Sequence, residues 1–196
     1  MGTSTHNNPA IVNAPDQVVN SQAREVHVRS FRSGDEATFR ELNEAWIAKY
    51  FRIEDADRKV LGDPVGNILE PGGHIFFAVR DARVVGCCAL LPTEPGSFEL
   101  AKMAVNEDER GHGIGRKILE YTIARAKQLG AHRLYLETNR KLENAIHLYE
   151  SVGFRHLPLE RVTPSPYARA NVFMEMLLQE QNLRHTGICW VPDSGV

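Results

Sequence analysis

Polar and apolar residues alternate across Glu25-Val-His-Val-Arg29, and a period of two predicts a first strand there. Ser33-Gly-Asp-Glu36 then has the spacing of a capping box, with Ser33 starting a helix and Glu36 reaching back. Phe39, Leu42, Trp46 and Ile47 give that helix an apolar stripe. Tyr50 to Leu69 reads as a shorter second helix within a longer connection, broken by Gly62, Pro64 and Gly66. Two apolar runs, His74–Arg80 and Arg83–Leu91, flank Asp81-Ala82 and predict an antiparallel hairpin. A turn at Pro95-Gly96 leads to another strand from Phe98 to Val105.

Periodicity changes after the next turn. From Ile114 the apolar positions Ile118, Leu119, Ile123, Ala126 and Leu129 recur at helical spacing, and Gly130 supplies a stop. A strand at Arg133–Glu137, a helix at Asn144–Val152 capped by Gly153, and a short strand from Phe154 follow. Arg161–Arg169 is a Pro-containing loop, and Asn171–Leu178 closes the sheet. Three antiparallel strands followed by alternating helices and strands predict a mixed sheet covered on both faces, an α+β fold. Residues 1–24 are polar and aperiodic and read as a flexible arm. Residues 25–178 form one domain, and 179–196 form a tail in which Trp190 suggests some packing.

The 196 residues suffice for a core without disulfides. A formal charge of −2 provides no general polyanion-binding surface and argues against nucleic acid as a direct partner. Three cysteines, two of them adjacent at Cys87-Cys88, make neither a disulfide framework nor a metal-ligand spacing. They suit a reducing compartment, the cytoplasm. No apolar run is long enough to span a bilayer, and the polar N-terminus lacks a signal core. No spacing of histidines suggests a metal.

Candidate chemistry sits where the fourth strand gives way to a helix. Arg110-Gly-His-Gly-Ile-Gly-Arg116 places three glycines at the helix start. First-turn amides lack intrahelical partners and carry the positive end of the dipole, while glycines let a bulky anion approach the main chain. Gly111, His112, Gly113, Ile114 and Gly115, with Arg110 and Arg116 adding charge, therefore form a seat for a pyrophosphate. A triphosphate loop of the form G-x-x-x-x-G-K-[ST] is absent. A dinucleotide fingerprint counted from Gly111 fails at Arg116, although Glu137 stands at roughly the offset of a ribose-binding acid.

Arg110, Gly113 and Gly115 in the pattern Arg-x-x-Gly-x-Gly resemble the coenzyme loop of the GCN5-related N-acetyltransferase (GNAT) superfamily. Lys102-Met-Ala-Val105 looks like that family's fourth strand, and Arg133-Leu-Tyr-Leu-Glu-Thr138 looks like its fifth. Asn144–Phe154 is similar to the helix and turn that complete its coenzyme site, so the resemblance runs from about Val26 to Leu178. It implies a mixed, mostly antiparallel sheet whose fourth and fifth strands splay apart to admit the pantetheine arm of acetyl-CoA. Main-chain groups of Met103, Ala104 and Val105 would bond that arm, with the diphosphate on the amides from Gly111 to Arg116. Many relatives carry an asparagine seven residues before the catalytic tyrosine; here that place is Leu142, with Asn144 and Asn139 nearby. Asn144 itself reads as a helix cap.

Acetyl transfer to an amine requires a base for the ammonium proton, stabilisation of the developing oxyanion, and a proton for the leaving thiolate. Two carboxylates match the family's alternatives for the base. Glu99 precedes Arg110 by eleven residues, and Glu137 precedes Tyr149 by twelve. The resemblance makes Tyr149 the acid and a main-chain N–H near Met103 or Ala104 the oxyanion donor. The implied acceptor is a small-molecule or peptide amine, reached through Trp46–Gly73 and Leu157–Ala170, which carry Tyr50, Phe51, Arg52 and Tyr167. Glu54, Asp55 and Asp57 either attract a cationic acceptor or form a solvated helix start. The competing function is an acyl-CoA-binding regulatory module without turnover. Oligomeric state stays open, a homodimer included.

Overall fold

The computed structural model describes residues 25–178. The arm and the tail with Trp190 lie outside the described residues. Seven strands, β1 (His27–Ser30), β2 (His74–Arg80), β3 (Arg83–Pro92), β4 (Ser97–Val105), β5 (Arg133–Thr138), β6 (Arg155–His156) and β7 (Val172–Leu177), form one sheet in the order β1-β2-β3-β4-β5-β7-β6. The first four pair antiparallel in sequence order. The β2–β3 turn has φ +50° at Asp81 and +60° at Ala82, so two non-glycine residues take the left-handed backbone that matches strand twist. Next, β4 and β5 run parallel, and β7 returns antiparallel between β5 and β6.

Side chains alternate across the strands, so two cores form. Phe77, Cys87, Ala89 and Ala104 meet Phe39, Leu42 and Ile47 of α1 (Glu36–Tyr50) and Leu61 of α2 (Asp55–Gly62). On the opposite face Phe76, Cys88, Leu90, Leu134 and Met174 pack beneath Ile114, Ile118, Leu119 and Ala126 of α3 (Ile114–Gln128). Tyr149 and its neighbours on α4 (Glu143–Val152) join that second core. Cys87 and Cys88 thus point to opposite faces, both fully buried, and burial pushes the Cys88 thiol up to about 12.

Several local expectations are corrected. Helix α1 begins with Asp35 at its cap and no side-chain capping bond, because the Asp35 carboxylate is taken by Arg29 and the Arg32 amide. Ser33 therefore does not cap. The reciprocal capping box lies instead at α2, between Glu54 and Asp57. The long connection also holds a π-helical turn, Val65–Leu69. Helix α4 starts one residue earlier than its apolar pattern suggests, with Leu142 at the cap, so Asn144 is inside the helix and caps nothing.

Two features position the site. Pairing between β4 and β5 covers only Ser97–Glu99 against Arg133–Tyr135 and then stops. Just beyond, β4 carries an extra residue against β3, since Ala101 faces Ala89 but Ala104 faces Cys87. Lys102 sits in this bulge with φ +52°. A bulge bends and twists its strand, which directs the end of β4 away from β5.

Candidate active site

The gap between the strands opens into a cavity of about 410 Å³, lined by β4 from Glu99 to Val105, by Glu137 and Thr138 of β5, and by Tyr149. Main-chain groups of Ala101–Val105 that face away from β3 have no strand partner there. Exposed backbone donors and acceptors of this kind bind an extended ligand as an added strand.

Arg110 is at the edge of this cavity, and the glycine loop that follows it lines a separate depression through His112, Gly113 and Ile114. Gly111 and Gly113 have φ +80° and +75°, and a Cβ built on either meets nothing within 4 Å, so open space faces the main chain. Lys117 makes the first amide bond of α3, to the Gly113 carbonyl. The amides from Gly111 to Arg116 have no acceptor among the described residues. His112 is exposed within the loop. Gly115 instead faces the protein: an added Cβ would sit in ordinary contact, 3.4 Å from Leu148 and 3.6 Å from Met103. Arg110 lines the cavity, and its Nε reaches back to the Val105 carbonyl. The Arg116 side chain turns elsewhere, donating to Glu120 and, at 2.7 Å, to Ser151.

The two glutamates occupy different environments. Glu137 Oε1 accepts the Tyr135 hydroxyl proton at 3.1 Å, and Oε2 accepts that of Ser165. Both its oxygens are engaged. Glu99 lines the same cavity but accepts no hydrogen bond among the described residues. Burial, then the charge of Glu137, pushes the Glu99 carboxyl up to about 7, with Lys102 pulling the other way.

Tyr149 is nearly buried, its ring edge-on to Phe154, and its hydroxyl points to Met103 Sδ at 3.9 Å. Burial holds its phenol proton well above the usual range. Asn144 is exposed at the cavity rim. Asn139 is already committed, its amide donating to the Arg169 carbonyl at 2.6 Å and its oxygen accepting from the Lys141 amide.

Another group of residues at the site was not singled out as a unit in the sequence. Asp57, fully buried, accepts from Arg169 Nη1 at 2.6 Å, Arg169 Nη2 at 2.8 Å and Lys102 Nζ at 2.9 Å. Glu54 accepts from Arg169 Nη1 at 3.0 Å and from the Ala168 amide at 2.8 Å. Lys102 also donates to the Tyr167 hydroxyl at 2.8 Å. Burial alone would raise Asp57, but the hydrogen bonds and charge of Arg169 and Lys102 hold it below the usual carboxylate range. Glu54 and Asp57 are therefore neither a solvated helix start nor free to meet a substrate. Asp55 alone is solvent-facing. The partners lie far apart in sequence, so only an unexpected lysine inside an apolar strand hinted at the network.

The sequence matches the Acetyltransferase (GNAT) family over residues 29–154. The chain belongs to this family. An uncharacterized N-acetyltransferase of Escherichia coli (strain K12) is 33% identical over 99 residues, which cover 48% of this chain and 59% of that protein. The chain spans less than two thirds of the length of the curated relatives it first matches. A GNAT-family acetyltransferase from Staphylococcus aureus Mu50 superposes with a TM-score of 0.72 at 22% identity, covering 79% of this chain and all of that one. An Elizabethkingia anophelis GNAT-family acetyltransferase with acetyl-CoA bound gives 0.60 at 19% identity, over 78% of this chain and 98% of the other. These neighbours share the overall fold of this chain, in which β4 and β5 run parallel within an otherwise antiparallel sheet. No helix among the described residues is long and apolar enough to cross a membrane. No cluster of His, Cys, Asp or Glu among them could hold a metal ion.

Removing one member of a buried charge group strands the others. Asp57→Ala should lower unfolding free energy by about 3–5 kcal/mol, because Lys102 and Arg169 lose their shared partner. Adding Lys102→Met should restore part of that loss in urea denaturation; an unchanged or larger loss would mean that Lys102 does not depend on Asp57.

Proposed function

We propose that this chain is an N-acetyltransferase that moves an acetyl group from acetyl-CoA to a primary amine by direct attack. The observation that carries the reading is one cavity joining unpaired β4 backbone, Arg110 at the start of the glycine loop, a half-buried carboxylate unbonded among the described residues and a buried tyrosine hydroxyl. Acetyl-CoA supplies the acetyl group as an activated thioester. The residues present suit it. Amides of Gly111–Arg116 would take the diphosphate at the positive end of α3, with Arg110 beside them. Met103, Ala104 and Val105 would bond the pantetheine arm, and Asn144 stands at the rim.

An incoming ammonium must shed a proton before its nitrogen can attack. Glu99 is our base, because its carboxylate lines the cavity with no hydrogen bond among the described residues and is pushed up to about 7 by burial and Glu137. Glu137, held by Tyr135 and Ser165, contributes a fixed negative charge beside Glu99 and completes the ammonium-attracting end. An amide near Met103 or Ala104 meets the charge that grows on the carbonyl oxygen. Tyr149 gives its proton to the departing sulfur. Its raised pKa keeps the phenol protonated across the working pH range, so it stands as a hydrogen-bond donor to the negative charge that grows on the sulfur as the bond to the acetyl carbon breaks. The Tyr149 hydroxyl donates to the Met103 thioether, a contact the coenzyme sulfur would replace in this reading. The family match and the single seven-stranded sheet support a catalytic domain over residues 25–178. Two buried, unpaired cysteines accord with a reducing, cytoplasmic setting.

The base is active as carboxylate, so kcat/KM should rise with pH through about 7 and level off above it. Glu99→Gln should remove that limb and lower kcat/KM by roughly 10²- to 10⁴-fold. A surviving limb in Glu99→Gln that disappears in Glu137→Gln would transfer the role to Glu137. Tyr149→Phe should reduce kcat by about tenfold or more while calorimetry finds coenzyme affinity little changed. Lost affinity with normal kcat would contradict an acid at this position.

A further inference from the structure

The cavity has a charge arrangement that discriminates among amines. Four basic side chains line it: Lys102, Arg110, Lys141 and Arg169. Arg110 belongs to the glycine loop, and Lys141 lies between β5 and α4 with Glu143 close behind in sequence. The two cations of the acceptor end, Lys102 and Arg169, are both neutralised by Asp57, and Arg169 also by Glu54. They hold the Tyr167 wall in place, each with its charge centre 4.5 Å from that ring's centroid. Both are paired within the protein, and the Lys102 charge reaches Glu99 more weakly than burial and Glu137 do.

The negative side is not balanced in this way. Glu99 and Glu137 both line the cavity, and no cation forms a salt bridge with either among the described residues. A ligand entering between Glu99 and the Lys102–Asp57–Arg169 group thus meets net negative charge. A carboxylate on the carbon next to the reacting nitrogen would be brought towards Glu99 without a cation to receive it, a like-charge contact in a poorly solvated space. Aromatic surface from Trp46, Tyr50 and Phe51 completes the wall. Having accepted from Lys102, the Tyr167 hydroxyl still has its own proton for a neutral oxygen.

We propose that the acceptor is a cationic amine with an apolar or aromatic body and no carboxylate beside its nitrogen, rather than a free amino acid. This rests on the acetyltransferase reading above. Matched pairs test it: phenethylamine with phenylalanine, tryptamine with tryptophan, and isopentylamine with leucine. Each is assayed by release of coenzyme thiol at saturating acetyl-CoA. The amine of each pair should have a kcat/KM at least about tenfold above that of its carboxylated partner. Equal rates, or faster transfer to the amino acids, would overturn the proposal while leaving acetyl transfer intact. No transfer to any compound by protein that binds acetyl-CoA would instead count against the acetyltransferase reading, and the proposal would fall with it. Asp57→Asn, or Glu54→Gln should the first not fold, frees positive charge on Arg169 and should narrow the amine-to-amino-acid ratio by several-fold. An unchanged ratio in a folded variant would show that paired charge does not set the preference.

Discussion

Backbone hydrogen bonding that the sheet leaves unmade past Glu99 is the constraint from which the site follows. Strand β4 is paired along β3, yet β5 abandons it after three residues, and the Lys102 bulge turns it further away. A buried peptide group without a partner costs on the order of 1–3 kcal/mol, so a core sheet does not part without solvent or ligand to fill the space. Here the gap becomes a slot with one polar wall, closed on its sides by α4 and the loop before β7. The start of α3 follows directly in the chain after Arg110 at the edge of the slot, and its first-turn amides have no acceptor among the described residues.

The bulge is held from a distance. Lys102 adopts a left-handed backbone that costs a non-glycine residue about 1–2 kcal/mol, and its ammonium is drawn between Asp57 and Tyr167. Asp57 in turn binds Arg169, which fixes the loop carrying Ser165 and Tyr167, and Ser165 bonds Glu137. One connected set of polar contacts thereby links α2, the bulge, the acceptor wall and the second carboxylate. Such a network adds little net stability over an apolar core, but it defines a single geometry. Its location beside the base is what gives the cavity its unbalanced negative end.

Much of this was legible in the residues themselves. Alternation located β1, apolar runs on either side of a turn located β2 and β3, which are buried on both faces, and helical spacing located α3 with its Gly130 stop. The glycine loop was readable because free amides at a helix start have few structural uses. Capping was not: Ser33 and Asn144 have capping chemistry, but Asp35 and Leu142 occupy those positions because tertiary partners decide where each helix starts. The roles of Glu99 and Glu137 also needed three dimensions, since only the fold brings Tyr135 and Ser165 to one of them and neither to the other. Arg169 and Asp57 stand 112 residues apart, and no local pattern pairs them.

The account depends on coenzyme completing the hydrogen bonds that β4 and the α3 start lack. Hydrogen–deuterium exchange of the whole chain with and without acetyl-CoA examines those amides directly. Peptides covering Ala101–Val105 and Gly111–Arg116 should gain protection together on binding, while β2 and β3, paired with each other along nearly all of β2, should change little. Binding without slowed exchange in either segment would contradict the account.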